Sequence, residues 1–430
     1  MLETQNLTQG SGNGSPIVTQ EAPPAEPADH AIATKLRVRK FTSWEDLDKA
    51  YSGWNDFLAD SASRTIFLTW EWLRSWWQVY GSSSELLLLV CTETDGALAG
   101  IATLCVVREH VGLGRSMRVL QLIGDASGDS DNLDFICRDG YESRVTQSVL
   151  DWLHQHSAEW DILDFNRIPA ESAVAMALHR EVVERRWPRI ERRSVHLVTP
   201  LPGTWEQYLG SLSKKMRKNL RAYMVRAEKR YKVRLRKCQV EEEVPHCLEQ
   251  LFRMHSQRWQ LRGETGSFLI SARCNFYDQV ARQFLSRGCL EFWFLDLDGV
   301  TVAAEFGFRD SDTYFILQCG FDPAYASDSV ASVLKSLVIQ QLIAEGFRWY
   351  DFLGGEDPYK LRWGAERRFY YHLRSAQPAS WGALSVKLVK FALASKGWLK
   401  SCLPQPILDA LRRFRQNSVP GTETEPEAEK

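Results

Sequence analysis

Hydrophobic and polar positions along the chain switch between two periodicities, which predicts a regular succession of strands and helices. The run LLLLVCTE at 86–93 is followed by the turn dipeptide Asp95-Gly96 and by LAGIATLCVV, a pattern typical of a β-hairpin. A second hairpin is predicted from CLEFWFLDL at 289–297, Asp298-Gly299 and VTVAAEFGFR. Each hairpin precedes an amphipathic helix and a short strand, so the chain has the alternation of an α/β protein.

The same order of elements occurs twice, which indicates an internal duplication. The first copy continues with SRVTQSVLDWLHQH and a strand at 160–169, the second with SVASVLKSLVIQQLIAEG and a strand at 348–358. The two Asp-Gly turns are 203 residues apart, and chance is the alternative because such turns are common. We therefore expect two mixed β-sheets flanked by helices, joined near residues 195–210, where TPLPGT interrupts the pattern.

Composition limits the class of protein. The chain has 430 residues, of which 44% are hydrophobic and 25% charged, as in an ordinary globular protein of two or three units. No apolar run approaches the ~20 residues of a membrane-spanning helix, and the first thirty residues lack a signal pattern, so we expect a cytoplasmic protein.

Nine scattered cysteines without a CxxC pair predict free thiols and no metal site. Residues 1–34 and 416–430 have the composition of disordered tails.

Positive charge is concentrated between Lys214 and Lys237, where twelve Lys or Arg residues accompany one acid, Glu228. Apolar residues recur there at helical spacing, which predicts a helix with one packed face and one strongly positive face. The positive face suits the phosphates of CoA, a tRNA acceptor stem or anionic lipid, unless it is only a solvated surface.

A second amphipathic segment is predicted near the C-terminus, over residues 379–415. Its stretch 381–400 mixes Trp, Phe, Leu and Val with four lysines and no acid. This composition suits a helix lying in a membrane interface, and a helix that covers one of the sheets explains it almost as well.

Two local features point to chemistry. The helix expected from Ser329 follows a strand and a short loop, and a helix N-terminus is a ready phosphate site, although any such helix needs a cap. Glu305 lies in an otherwise apolar strand between the small residues Ala303 and Gly307 on its own face. A buried carboxylate is costly unless it is paired or used, so Glu305 is predicted to act as a base, to orient substrate or to form a salt bridge.

A helix near residue 255 carries a cluster of larger side chains. His255 and Trp259 are four residues apart on one face, with Arg258 adjacent. They are candidates for the wall of an acceptor pocket. The alternative is that Trp259 packs into the core and the arginines are solvated.

The sequence resembles the GNAT acyltransferase superfamily, and more narrowly the CelD-like acetyltransferase branch related to Fem-type aminoacyl transferases. The resemblance is carried by GFDPAYASDSVASVLKSLVIQQLIAEGFRWYDFLGGEDPYKLRWGA, by SLSKKMRKNLRA near 211 and by MHSQRWQLRGETGSF near 254. It implies tandem GNAT-like domains: a degenerate one at 35–200 and an acyl-CoA-binding one at 201–378. The glycines that the superfamily often places before the cofactor helix are absent here.

The resemblance also implies an acyl-CoA cofactor, acetyl-CoA or another, held where two strands splay apart, with its pyrophosphate on the amides of residues 327–331. Tyr359 matches the acid tyrosine of many members, and Asp351 is expected to hold a catalytic group or a substrate amine, or to cap the Gly-Gly turn. The candidate residues are then catalytic Glu305, Tyr359 and Asp351; cofactor-binding Phe321, Ser327, Asp328, Ser329, Val330 and Ala331; and substrate-binding His255, Arg258, Trp259 and Lys360.

The function expected from this resemblance is acyl transfer from acyl-CoA to an amine or hydroxyl, on a small-molecule, glycan or lipid-linked acceptor. Peripheral contact with the inner face of the membrane is part of this expectation. The alternatives are a Fem-type transferase, which would bind aminoacyl-tRNA, and a non-catalytic scaffold in exopolysaccharide synthesis.

Overall fold

A computed structural model describes residues 35–110, 116–125, 127–260 and 271–402; the predicted tails 1–34 and 416–430 lie outside these ranges. The strands are β1 Arg37–Phe41, β2 Glu85–Thr92, β3 Leu98–His110, β4 Ser116–Leu122, β5 Ile136–Cys137, β6 Ile162–Pro169, β7 Arg189–Pro200, β8 Val233–Lys237, β9 Leu290–Leu297, β10 Val300–Asp310, β11 Thr313–Phe321, β12 Trp349–Gly354 and β13 Glu366–Ser375. The helices are α1 Trp44–Ala50, α2 Trp54–Ala59, α3 Trp70–Tyr80, α4 Glu142–Gln155, α5 Ala173–Glu184, α6 Trp205–Ser211, α7 Lys214–Arg230, α8 Val244–Gln260, α9 Ser271–Ser286, α10 Val330–Ala344, α11 Pro358–Arg362 and α12 Trp381–Cys402.

Both predicted hairpins are confirmed, and so is the repeated order of elements. Strands β2 and β3 pair antiparallel, as do β9 and β10, whose turn residues Asp298 and Gly299 both have positive φ. In the first half β3 pairs with β4, and β4 pairs in parallel with β6 beyond α4. In the second half β10 pairs with β11, and β11 pairs in parallel with β12 beyond α10. The fold is thus a mixed α/β fold whose two halves repeat the same order of strands and helix.

The two expected sheets are continuous with each other. The strands form one thirteen-stranded sheet in the order β1-β2-β3-β4-β6-β13-β7-β12-β11-β10-β9-β8, with β5 beside β3. The halves exchange their last strands, because β7 of the first half pairs with β12 and β13 of the second half pairs with β6. Strands β7 and β13 also pair with each other from Glu366↔Val198 to Ser375↔Arg189. This exchange covers the edge that each half would otherwise leave open.

Helices cover both faces of the second-half sheet. Helix α10 packs on one face, called here the α10 face, where Val338, Leu342 and Tyr350 are buried in the same cluster. Helices α8 and α9 lie on the opposite face, called the α8 face, with Met254, Phe276 and other buried residues. The division into domains at residues 200–201 remains a prediction, while both halves contribute to one sheet.

The basic segment differs in part from its predicted form. Helix α7 buries Leu220 and Ala227, as the apolar spacing predicts, but it ends at Arg230. The following residues Val233–Lys237 form the edge strand β8, since VRLRK alternates apolar and basic residues with the period of a strand. The positive charge is therefore divided between a helix and a sheet edge.

Candidate functional site

The centre of the site is a fork between the parallel strands β11 and β12. They pair only at Thr313↔Trp349, Tyr314↔Tyr350 and Phe315↔Asp351, although β11 continues to Phe321. Beyond Asp351, β12 bulges against β7, and Leu353 adopts a left-handed φ of 59° that is unusual for this side chain. The two strands therefore part after Phe315 and Asp351, as expected of the splayed pair.

The N-terminus of α10 lies at the open end of the fork. Strand β11 leads through a short 3₁₀ turn to Ser329, which has a φ of 57° and accepts hydrogen bonds from the N–H groups of Ser332 and Val333. No described side chain caps this helix. Among the predicted cofactor residues, Ser327 and Ala331 are exposed, Ser329 and Phe321 are half-buried, and Val330 is buried.

Helix α7 brings two arginines to the start of α10. Arg230 forms an ion pair with Asp328, whose other oxygen accepts a hydrogen bond of 2.9 Å from the Tyr231 hydroxyl. Arg226 donates to the Ser329 hydroxyl at 3.5 Å, and its buried Nε has no partner in the described part of the chain. The Asp328 carboxylate is thus neutralised from the side, which removes the repulsion it would otherwise exert on a phosphate at this helix end.

Glu305 lies on the α10 face in a buried polar cluster. Its carboxylate accepts hydrogen bonds from Tyr314 at 3.1 Å and Tyr350 at 2.7 Å, and it forms a salt bridge of 2.8 Å with Lys335 of α10. Burial, and after it the charge of Glu305, raises the pKa of both tyrosines well above the usual range. The structure therefore contains the salt bridge that the sequence left as an alternative, and the role of Glu305 as a base stays a prediction.

Tyr359 and Lys360 belong to α11, directly after the Gly-Gly turn. Tyr359 is half-buried, with its ring edge-on to Phe352 at 6.2 Å. Lys360 Nζ donates to the carbonyl oxygens of Gly354 at 2.8 Å and Phe352 at 3.2 Å. These bonds give Lys360 a structural role, because they hold the turn between β12 and α11. The roles of Tyr359 as an acid and of Lys360 in substrate binding stay predictions.

Asp351 stands on the α8 face at the point where the fork opens. Its Oδ1 accepts a hydrogen bond of 2.7 Å from the N–H of Leu353, so it caps the turn as the sequence allowed. Burial raises the pKa of Asp351 to about 7, and the nearby carboxylate of Asp131 acts in the same direction. A group with this pKa can both accept and donate a proton near neutrality.

Of the three predicted acceptor residues on α8, the structure describes the side chain of His255 only. The side chain of His255 is buried, and α8 crosses β11 so closely that a Cβ on Gly320 would lie 3.0 Å from the backbone nitrogen of His255. His255 is therefore on the α8 face beside the fork. Arg258 and Trp259 belong to α8, but their side chains lie outside the described residues.

An acidic loop of the first half also reaches the fork, although it was not predicted from the sequence. Asp131 accepts a hydrogen bond of 2.9 Å from the N–H of Gly354 and forms an ion pair with Arg167. Asp129 accepts hydrogen bonds of 3.0 Å from Arg273 and from Tyr277 on α9. The segment GDASGDSDNLD at 124–134 holds four acids among glycines and serines, and this density was a usable signal for a functional loop.

His196 is a further residue near the fork that was not predicted from the sequence. It lies on β7 opposite Gly354 and is buried against the ring of Tyr370 at 4.2 Å. Both ring nitrogens are buried and have no hydrogen-bond partner within the described ranges. Burial lowers the pKa of His196 to about 4, so the ring is neutral at pH 7. Nothing in the local sequence distinguishes this histidine from a core residue.

A family model matches part of the second half of the chain. Residues 214–361, about a third of the chain, match a family model described as an acetyltransferase (GNAT) domain. This stretch is similar to GNAT domains. It contains the fork, α10 and the basic helix α7. A search of curated proteins gives no significant match. Within the described ranges, no group of three or more His, Cys, Asp or Glu residues is arranged to hold a metal ion.

Solved structures are similar over both halves. FemX has a TM-score of 0.53 at 11% identity, with 77% of this chain and 96% of FemX covered. A conserved protein of unknown function from Bacteroides thetaiotaomicron has a TM-score of 0.50 at 12% identity, with 75% and 96% covered. At these identities the likeness is one of fold. It extends well beyond residues 214–361 and includes the first half.

Proposed function

We propose that this protein is an acyltransferase that moves an acyl group from acetyl-CoA or another acyl-CoA to an amine or hydroxyl. The observation that carries the proposal is the fork between β11 and β12 with the N-terminus of α10 at its open end. An exposed strand edge can form hydrogen bonds with the amide groups of acyl-CoA. The helix N-terminus beside it offers backbone N–H groups to the phosphate oxygens. The CelD-like branch is the subgroup whose motifs the chain resembles.

The donor site would be built from α7 and α10. The amides of Val330 and Ala331 and the guanidinium of Arg226 would hold the pyrophosphate, since the N–H of Ser329 already donates to the carbonyl of Ala326. Strand β11 beyond Phe315, which there has no described strand on its β12 side, would hold the pantetheine. Arg230 forms an ion pair with Asp328 and so neutralises this carboxylate beside the phosphate site. Bound acyl-CoA would supply the acyl group as an activated thioester.

Asp351 fits the proton-transfer step better than Glu305 does. It stands where the strands part, and its pKa of about 7 matches a group that takes a proton from an acceptor amine or hydroxyl as the new bond forms. Glu305 is held by Lys335 and two tyrosines on the opposite face. Tyr359, near the end of the fork, would return a proton to the departing thiolate.

The acceptor would bind on the α8 face, beside His255 and the acidic loop, with Arg258 and Trp259 nearby in sequence. We propose a glycan or lipid-linked precursor at the cytoplasmic side as its class. FemX supports only the similarity of fold. A Fem-type reaction remains the second candidate because Lys214, Lys215 and Lys218 of α7 are exposed and form no ion pair with any described carboxylate, which suits a nucleic-acid surface.

Arg226→Gln tests the donor site. Loss of the cation beside Ser329 removes a charge-assisted contact with phosphate, so we expect the affinity for acetyl-CoA to fall by roughly tenfold or more in isothermal titration calorimetry. Lys218→Gln, on an exposed part of the same helix, is the matched control and should leave the affinity unchanged. Equal affinities of the two variants would contradict the assigned site. Tight binding of tRNA without binding of CoA would favour the Fem-type reaction, and binding of neither would favour a scaffold.

A further inference from the structure

Helix α12 leaves an apolar stripe uncovered. Ala383 and Val386 are buried in a small cluster with Ile190 of β7, and Gly382 lies against the carbonyl of Asp161. Side chains on the other side of the helix are open to solvent. They are Trp381, 63% exposed, Leu384, 46%, Leu388, 59%, and Phe391, 74%. Their spacing of three and four residues places them on one face, opposite the docked one.

The charge around the stripe is of one sign. Lys387 and Lys390 are exposed; Lys387 flanks the stripe, and Lys390 lies on the other side of the helix, one turn after Val386. The sequence from Trp381 to Lys400 contains four lysines and no acid. Lysine stems can extend along an apolar surface while the ammonium groups reach outward, so this arrangement complements a surface that is apolar inside and negative outside.

We propose that α12 docks this protein on an anionic lipid bilayer, with the stripe Trp381, Leu384, Leu388 and Phe391 inserted at the interface. None of the described helices is long and apolar enough to cross a membrane. A second copy of α12 is a poorer occupant, because two such helices would bring lysines of the same sign together along the contact. The segment 416–430 is also a poorer occupant, since it is almost devoid of apolar residues.

The docking places the site close to the membrane surface. Ile190, under α12, and His196, at the fork, are six residues apart on β7 and face the same side of the sheet. At about 3.3 Å per residue the distance along the strand is roughly 20 Å. The bilayer would therefore lie beside the α8 face, where a lipid-linked acceptor would be presented. The docking itself does not depend on the proposed acyl transfer.

Vesicle sedimentation with the full chain tests the proposal. We expect the protein to sediment with phosphatidylglycerol-rich vesicles, weakly with phosphatidylcholine vesicles, and less at high salt. The double variants Leu388→Ser/Phe391→Ser and Lys387→Glu/Lys390→Glu should each lower the partition coefficient by on the order of tenfold or more. Met176→Ser, which removes an equally exposed side chain from α5, should not change it. Acetyl-CoA affinity, measured without vesicles, should be the same in all of them.

Three results would overturn the proposal. The first is that the parent protein does not bind the anionic vesicles, or that the α12 variants bind as well as the parent. The second is that Lys214→Glu/Lys218→Glu removes binding while the α12 variants keep it, which would move the contact to α7. The third is that Leu388→Ser/Phe391→Ser converts a dimer to a monomer in sedimentation equilibrium without affecting vesicle binding, which would make a second copy the occupant.

Discussion

Two buried carboxylates near the fork differ in their partners, and this difference decides what each can do. Glu305 has a cation, Lys335, at 2.8 Å, with Tyr314 and Tyr350 completing its hydrogen bonds. Asp351 has the backbone N–H of Leu353 as its close donor, and burial leaves its pKa near 7. Pairing with a cation stabilises the ionised form of a carboxylate. Burial without a cation raises the pKa of a carboxylate towards neutrality, where the group can take up and release a proton.

Glu305→Gln is expected to act on stability. The substitution leaves the Lys335 ammonium buried without a counter-charge, so the free energy of unfolding should fall by about 3 to 5 kcal/mol in urea denaturation. The double variant Glu305→Gln/Lys335→Met removes both charges and should recover much of this loss. A Glu305→Gln protein as stable as the parent, but without turnover, would instead support the role of Glu305 as a base.

Asp351→Asn is expected to change the pH dependence of stability. The folded pKa of Asp351 is raised to about 7, above the unfolded value near 4, so its contribution to stability is present below pH ~4 and is lost as pH rises through 7. Over this whole pH range the loss is about 4 kcal/mol. Urea unfolding at pH 5 and pH 8 should show a smaller decline for Asp351→Asn than for the parent. Equal declines would mean that Asp351 titrates normally.

At the scale of elements, close backbone approaches position the helices that frame the site. Helix α8 meets β11 at Gly320, and α12 meets the residue before β6 at Gly382. Glycine permits these contacts because it has no Cβ. A side chain at either position would push a whole helix away from the sheet.

Gly382→Ala is expected to release α12 from the sheet. A Cβ at this position would lie 1.8 Å from the carbonyl oxygen of Asp161, so the helix cannot keep its place. Limited proteolysis should cut within α12 much faster than in the parent, while β-sheet circular dichroism is retained. Gly210→Ala is the matched control, because its Cβ meets nothing within 4 Å in α6. That variant should be neutral or stabilised by up to about 1 kcal/mol. Equal proteolysis of both variants would argue against the docked position of α12.

At the scale of the whole molecule, strand exchange and the acidic loop couple the two halves. Strands β7 and β13 pair along ten residues, and each also pairs with the opposite half. The loop adds the ion pair of Asp129 with Arg273 across the same junction. Neither half has a complete sheet of its own, so their unfolding should be linked.

We expect a single unfolding transition for the described core. Tryptophan fluorescence and far-ultraviolet circular dichroism should coincide in urea, since opening either half exposes the exchanged strand of the other. Asp129→Ala should shift both curves together by roughly 3 kcal/mol, because it removes a buried carboxylate that pairs with Arg273 and accepts a hydrogen bond from Tyr277. Glu228→Ala, at an exposed position of α7, should shift neither. Two separate transitions would show that the halves fold independently.

Much of the fold could be predicted, because the relevant forces act between near neighbours. The hairpins follow from alternation around Asp-Gly, and α10 follows from an apolar run that begins after a turn. The site was only partly predictable. Motif resemblance indicated the fork and the start of α10, while the partners of Glu305 and the position of His196 depend on residues that are distant along the chain.

The sequence by itself determined the succession of elements and their duplication, since local periodicity and turn residues decide which segments form strands or helices. Only the tertiary structure decided that the two sheets become one, because strand exchange depends on pairing between β7 and strands more than a hundred residues later. It also decided which of the two buried carboxylates is paired with a cation and which is not. Lys335 reaches Glu305, and Asp131 of the other half reaches Gly354, through contacts that no local pattern specifies.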